Sequence, residues 1–364
     1  MNEEQRKILK MVEDGIISSE EAEELFEALN YAEQEKKQSY ELTEQVKWDQ
    51  GESYHSNSKK QSSSNKKAKF LGFIEEAFNK VKNVDLDFNF GTHTNVSHIY
   101  HSQHVDVSNI DIDIANGSFT LTPWNESDVR VECEAKVYQV SDQKQGRLKF
   151  LEDCSFDIVE NRLQFNLPSK QIKTDVVMKV PSKLYEKITI KLFNGPIDAG
   201  NINTKHLHAK TTNGAISLST IDADLLYLET ANGMIKLDQS NIKEVETETI
   251  NGSIRLNGKY EAIDAQTVNG SIHCVWADAQ TKTGFFRTTT GSIRLSVPQL
   301  VKIEGKVESN IGQIHCNLDD YNVLNETKEV IKRSLHFEAN NQFSSLLHIE
   351  AETKTGSVWI LPNE

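Results

Sequence analysis

Thr211-Thr212-Asn213-Gly214-Ala215-Ile216-Ser217-Leu218 is one copy of a phrase, Thr-x-Asn-Gly-x-Ile-x-Leu, that decides the fold. The phrase returns around Gly233, Gly252, Gly270, Gly291, Gly312 and Gly356, with glycine spacings of 19, 19, 18, 21, 21 and 44 residues. A period near 20 residues marks a solenoid, in which each repeat buries its apolar side by stacking on its neighbours.

Aligning the copies on their glycine assigns each position a task. Thr211, Thr230, Thr249, Thr267, Thr288, Ser309 and Thr353 precede the corner. Asn213, Asn232, Asn251 and Asn269 follow, continued by Thr290, Ile311 and Thr355. Stacked Asn side chains form amide ladders, and Thr hydroxyls are expected to ladder likewise. Gly214, Gly233, Gly252, Gly270, Gly291, Gly312 and Gly356 are expected to bend the chain by taking positive φ.

After the corner, Ile216, Ile235, Ile254, Ile272, Ile293, Ile314 and Val358 form one apolar column. Leu218, Leu237, Leu256, Cys274, Leu295, Cys316 and Ile360 form another. Ser217, Lys236, Arg255, His273, Arg294, His315 and Trp359 lie between them and should face water. Asn-Gly also joins hairpins, but an antiparallel sandwich does not need the same residues in register at every repeat. The reading is therefore mainly β: a parallel β-solenoid of about 20-residue turns. Cys274 and Cys316 are placed two turns apart, beyond disulfide reach. The gap between Gly312 and Gly356 holds either a degenerate turn or a two-stranded insertion around Val330–Phe337, and either could cap that end.

Upstream the pattern changes. Residues 1–35 read as two short helices, with Ser18 and Glu21 as a capping box between them. Ile8, Met11, Val12, Ile16, Ile17, Leu25, Phe26 and Leu29 give an apolar set too small to be stable alone. They are candidates for docking a protein partner or a second copy, against the plainer reading of a hairpin tucked on its own chain. Residues 36–69 are a polar Ser/Asn/Lys linker expected to be disordered. Residues 70–83 form an amphipathic helix, read as a solenoid cap; Phe70, Phe73, Ile74 and Phe78 give it only peripheral means of touching a membrane. The solenoid domain occupies 84–364. Within it, Val84–Phe90, Val105–Val107 and Ile110–Ile114 alternate as strands. Asn116-Gly117 resembles an early corner, and 118–194 is an irregular excursion that includes a helix near 142–153 and a hairpin turning at Glu160-Asn161.

A net charge of −14 over 364 residues argues against nucleic acid as a partner. The start of the chain shows no apolar signal segment, so the expected compartment is the cytoplasm, with membrane association as an addition. His93, His98, His101 and His104 sit in a segment read as loop-like and match no metal-ligand spacing. His206 and His208 read as solvated, and His273 and His315 as outward residues two turns apart. Asp85, Asp87, Asp106, Asp111 and Asp113 are outer-face residues of alternating strands rather than a hydrolase cluster. No cofactor, metal or catalytic residue is expected.

The Asn-Gly-Ser-Ile corners behind the acidic start Lys10-Met11-Val12-Glu13-Asp14-Gly15-Ile16-Ile17-Ser18-Ser19-Glu20-Glu21 resemble the YvlB/LiaX-type proteins of Gram-positive bacteria. That resemblance implies a SHOCT-like helical module followed by a toast-rack, adhesin-type β-repeat domain of unknown function. It also implies association with cell-envelope stress responses, often beside phage-shock-like membrane proteins, and brings no catalytic residues. Some relatives are surface-exposed. The expected function is a non-enzymatic binding or scaffold protein. The alternative is an exported wall-associated adhesin or a carbohydrate-active β-helix protein.

Overall fold

A computed structural model describes residues 91–329 and 332–363. The two-helix module, the linker, the helix expected at 70–83 and the strand expected at Val84–Phe90 lie outside the described residues. Twenty strands, joined in one hydrogen-bonded sheet, and one helix make up the described chain.

The repeats set the centre of the stack. Strands β8 (Ile197–Asn213), β9 (Ile216–Asn232) and β10 (Ile235–Asn251) are long, and β11 (Ile254–Asn269) continues them. They pair in parallel register, so Ile216, Ile235 and Ile254 lie side by side, as do Thr230, Thr249 and Thr267. Three of these coils bend midway at a residue with positive φ: Asn201 at 58°, Thr220 at 54°, Gln239 at 48°. In β8, β9 and β10 this brings the arm after one corner and the arm before the next into a shared core; β11 has no positive-φ residue and lacks a counterpart of Gln239. Ile216, Leu218, Leu226 and Leu228 all belong to it and are essentially inaccessible. The parallel β-solenoid is thus the observed architecture.

At one end, β2 (Asn109–Trp124) makes the first coil, turning at Asn116-Gly117. Gly195 packs directly on Gly117, so the stack passes over the 77 intervening residues. That excursion covers the end of the stack. One arm runs β1 (His93–Ser102), β3 (Val129–Tyr138), β6 (Ile172–Pro181) in antiparallel order, and β6 then pairs in parallel with Gly117–Trp124. The other arm adds β5 (Arg162–Leu167) to Asn109–Ile114 and the antiparallel β4 (Ser155–Val159) beyond it. The β4–β5 turn is Glu160-Asn161, both at positive φ. Helix α1 (Gln143–Asp153) starts at Asp142, whose carboxylate accepts the N–H of Gln145 at 2.9 Å. It seals the apolar side with Phe150. Strand β7 (Leu184–Asn194) returns the chain to the stack. Two local expectations are corrected here. Val105–Val107 is not a strand, and His93–Ser102 is an edge strand rather than a loop.

The opposite end departs from chain order. Coils continue through β12 (Ile272–Trp276), β13 (Thr283–Thr290) and β14 (Ile293–Val297). The next layer is β19 (Leu346–Thr355) with β20 (Val358–Pro362). Only beyond it come β15 (Lys302–Ile311) and β16 (Ile314–Cys316). Thr355 continues the polar corner column, whereas Ile311, its outermost member, is 62% exposed. A hairpin of β17 (Tyr321–Lys328) and β18 (Arg333–Ala339) pairs antiparallel to β15, with the Phe337 ring set over Gly305. The two-stranded insertion is therefore the correct reading of the gap.

This crossing also corrects the cysteine and histidine spacing. Leu295 and Ile360 both separate Cys274 from Cys316, and Arg294 and Trp359 both separate His273 from His315. Each pair is three coils apart, not two. Cys133, Cys154 and Cys274 are buried free thiols and Cys316 is half-buried. Burial pushes the Cys154 and Cys316 thiols up to about 11, so they remain protonated apolar groups at neutral pH.

Candidate binding surface

The predicted corner residues stack. Asn194 donates its side-chain amide to Asn116 Oδ1 at 2.7 Å, Asn213 to Asn194 at 2.7 Å, and Asn232 to Asn213 at 2.8 Å. Asn251 and Asn269 extend the ladder at 2.8 and 3.0 Å. The threonines do something else. Thr211, Thr230, Thr249, Thr267, Thr288 and Thr353 donate their hydroxyls to the carbonyl of the glycine in the adjacent coil, at 2.8–3.1 Å. Ser309 donates to Gly356 O at 2.8 Å. The hydroxyl thus satisfies an inward-facing carbonyl that no neighbouring strand reaches.

The glycines are also required for a different reason than expected. Gly291 and Gly356 do adopt φ of 145° and 147°, but Gly214, Gly233, Gly252, Gly270 and Gly312 are not among the positive-φ residues. A Cβ on Gly233 would lie 1.9 Å from Gly214 O, and one on Gly252 would lie 1.9 Å from Gly233 O. The corners pack backbone against backbone, and this contact excludes any side chain.

Outward positions form two surfaces. Before the corner lie His208, Tyr227, Glu246 and Asp264 in one column and Lys210, Glu229, Glu248, Gln266 and Arg287 in the next. His208 is not solvated as expected. Its ring lies 4.8 Å from that of Tyr227, and its Nε2 is enclosed. Burial first, then Lys210, Lys191 and Lys187, lower its pKa to about 4. Tyr227 Oη donates to Glu248 Oε2 at 3.2 Å. Burial, reinforced by Glu246 and Glu229, raises Glu248 to about 8. Glu229 meets Lys210 at ion-pair distance without hydrogen-bond alignment. The alternating pattern gave no sign that these outer-face groups would be enclosed.

After the corner runs a second column: Ser217, Lys236, Arg255, His273, Arg294, Trp359 and His315. His315 stacks on Trp359 at 5.5 Å and 13°, and Arg294 lies 5.4 Å from the same ring centroid. These residues were legible as outward-facing. Their true order, with Trp359 between Arg294 and His315, was not.

The histidines near the start do not gather at one point, although His101 and His104 meet the same Asp128, His104 through its backbone N–H at 3.1 Å. His93 packs on Tyr138, His98 lies between Tyr100 and Phe150, and His101 Nε2 lies 3.0 Å from Asp128. Asp106 pairs with Lys183 at 2.5 Å, and Asp111 pairs with Arg162. Among the described residues, no three His, Cys, Asp or Glu side chains gather as a metal site. The partner-docking candidates Ile8, Met11, Val12, Ile16, Ile17, Leu25, Phe26 and Leu29 lie outside the described residues, as do Phe70, Phe73, Ile74 and Phe78.

The family model described as Toastrack DUF4097 matches residues 93–344, and a SHOCT-like domain model matches residues 3–30. The uncharacterized protein YvlB of Bacillus subtilis is 42% identical over 358 residues, covering 98% of each chain. Among solved structures, a candidate adhesin from Bacteroides fragilis is 12% identical, spans 74% of this chain and 97% of its own, and has a TM-score of 0.41. A candidate cell adhesion protein from Clostridium sporogenes is 11% identical, spans 74% of this chain and 100% of its own, and has a TM-score of 0.25. With a family model over most of the chain and a relative matching nearly end to end, this protein belongs to the Toastrack DUF4097 family.

Proposed function

We propose that the chain is a non-enzymatic binding and scaffold protein of the bacterial cell-envelope stress response. The solenoid is its interaction surface, and the N-terminal helices are its module for oligomerisation or for docking protein partners such as phage-shock-like membrane proteins. One observation carries this reading: the repeated polar residues bond to the stack itself. Asn side chains bond to Asn, and Thr hydroxyls bond to glycine carbonyls. The repeat therefore builds a long, rigid face instead of aiming reactive groups at a substrate. The proposed compartment is the cytoplasm, with peripheral membrane association through Phe70, Phe73, Ile74 and Phe78.

The test is deletion of residues 1–35. The remaining chain should stay folded by circular dichroism but lose higher-order mass in light scattering and lose partners in pull-downs from envelope-stressed cells. Unchanged mass and unchanged capture would refute the docking role. A second reading, an exported wall-associated protein, is favoured by the cationic column after the corner. Fractionation of cells decides it, because a purely intracellular pool removes it.

A further inference from the structure

Lys236, Arg255, His273 and Arg294 stand in direct register on four successive coils. Stacked strands lie about 4.8 Å apart, so the row repeats at that pitch. Like charges directly opposite one another weaken a sheet. Several cations on other coils face carboxylates instead: Lys205 with Glu186 at 2.8 Å, Lys243 with Asp224 at 2.5 Å, Lys282 with Glu261 at 2.5 Å, Arg287 with Glu352 at 3.3 Å. Among the described residues, Lys236, Arg255 and Arg294 take part in no ion pair. The protein carries a net charge of −14 and still keeps these cations in one row without a carboxylate partner among the described residues.

On the coils of His273, Arg294 and Trp359 the neighbouring corner position supplies hydroxyls. Ser271 Oγ accepts the N–H of Ser292 at 3.2 Å, Ser292 Oγ that of Ser357 at 3.3 Å, and Ser357 Oγ that of Gln313 at 3.1 Å. A hydroxyl that accepts a backbone N–H keeps its own proton to donate. Cations at coil pitch, continued by hydroxyl donors from the His273 coil to the Trp359 coil, complement a chain of sugar rings that each carry a carboxylate. One ring length is close to one coil.

We propose that this face binds a linear acidic glycan laid along the stack axis, with its carboxylates on Lys236, Arg255 and Arg294 and its hydroxyls along Ser271, Ser292 and Ser357. The proposal deepens the exported reading above, and it is tested in vitro, so it fails or stands separately from cell fractionation.

The experiment is calorimetric titration of the full chain with polygalacturonate, with size-matched neutral dextran and with double-stranded DNA. Polygalacturonate should bind at least tenfold more tightly than either of the others. Combining Lys236→Gln, Arg255→Gln and Arg294→Gln should weaken that binding tenfold or more. Arg255→Glu should also abolish binding while holding or raising the melting temperature, because it relieves like-charge repulsion. Absence of polygalacturonate binding, equal affinity for DNA, or an unaffected triple variant each overturns the proposal. So does a fall in melting temperature in Arg255→Glu, which would make the row a structural element.

Discussion

Asn232 gives its side-chain amide to Asn213 across 2.8 Å while accepting that of Asn251 at the same distance. Every interior member of the ladder is donor and acceptor at once. Asn232→Ala removes two hydrogen bonds, and at about 0.5–1.5 kcal/mol each it should cost about 1–3 kcal/mol in urea unfolding. Asn232→Asp keeps the bond from Asn251 but sets a carboxylate oxygen against Asn213 Oδ1, two acceptors facing each other, and should also destabilise, more so above the carboxylate pKa than below it. A loss no larger than that of a substitution at exposed Lys259 would show that the ladder contributes nothing.

Gly233→Ala places a methyl 1.9 Å from Gly214 O, in a contact between two backbones that have nowhere to move. The expected cost is about 3 kcal/mol or more, at the severe end for single substitutions. Gly91 is the control: a Cβ added there would meet nothing within 4 Å, and Ala should be tolerated with little change. Thermal unfolding of both variants makes the comparison.

Thr249→Val keeps shape but leaves Gly233 O, now 3.1 Å from the hydroxyl, without that donor. The expected loss is about 1–3 kcal/mol. If threonine served only as a β-branched filler, Val would be neutral, so the measured sign separates the two roles.

His208 and Glu248 impose opposite pH dependences. The His208 pKa of about 4 is depressed, so the unfolded chain takes up a proton first and stability falls as pH drops from about 6.5 towards 4. Glu248, at about 8, holds its proton longer when folded, so stability falls as pH rises from about 4.5 through 8. Between about pH 6.5 and 8 only the Glu248 effect operates. Glu248→Gln should therefore melt higher than the unmodified chain at pH 8, with the difference narrowing at pH 5. Equal melting temperatures at both values would refute the assignment.

The solenoid was legible because Ile216, Ile235 and Ile254 repeat at a period that only stacking explains, and the Asn column followed from the same alignment. The role of the glycines was not legible. Sequence shows that a side chain is absent, but not whether dihedral freedom or a neighbouring carbonyl demands it. The reversed order of the Gly312 and Gly356 coils was hidden as well. Alignment orders repeats along the chain, while layers are sorted by which edge remains open. The enclosure of Glu229 and Glu248 escaped for a related reason: alternation separates inward from outward and carries no information on what an outward group meets.

Strands β19 and β20 lie between the Gly291 coil and the Gly312 coil, with neighbours on both sides. Here the open edge of this arm is β16, while β20 is paired on both sides. The amides of Val358 and Ile360 should exchange with deuterium more slowly than that of Cys316, although they stand more than 40 residues later in the sequence. Strand β20 thus acts as a wedge, and freeing it requires two layers that close over it to be prised apart.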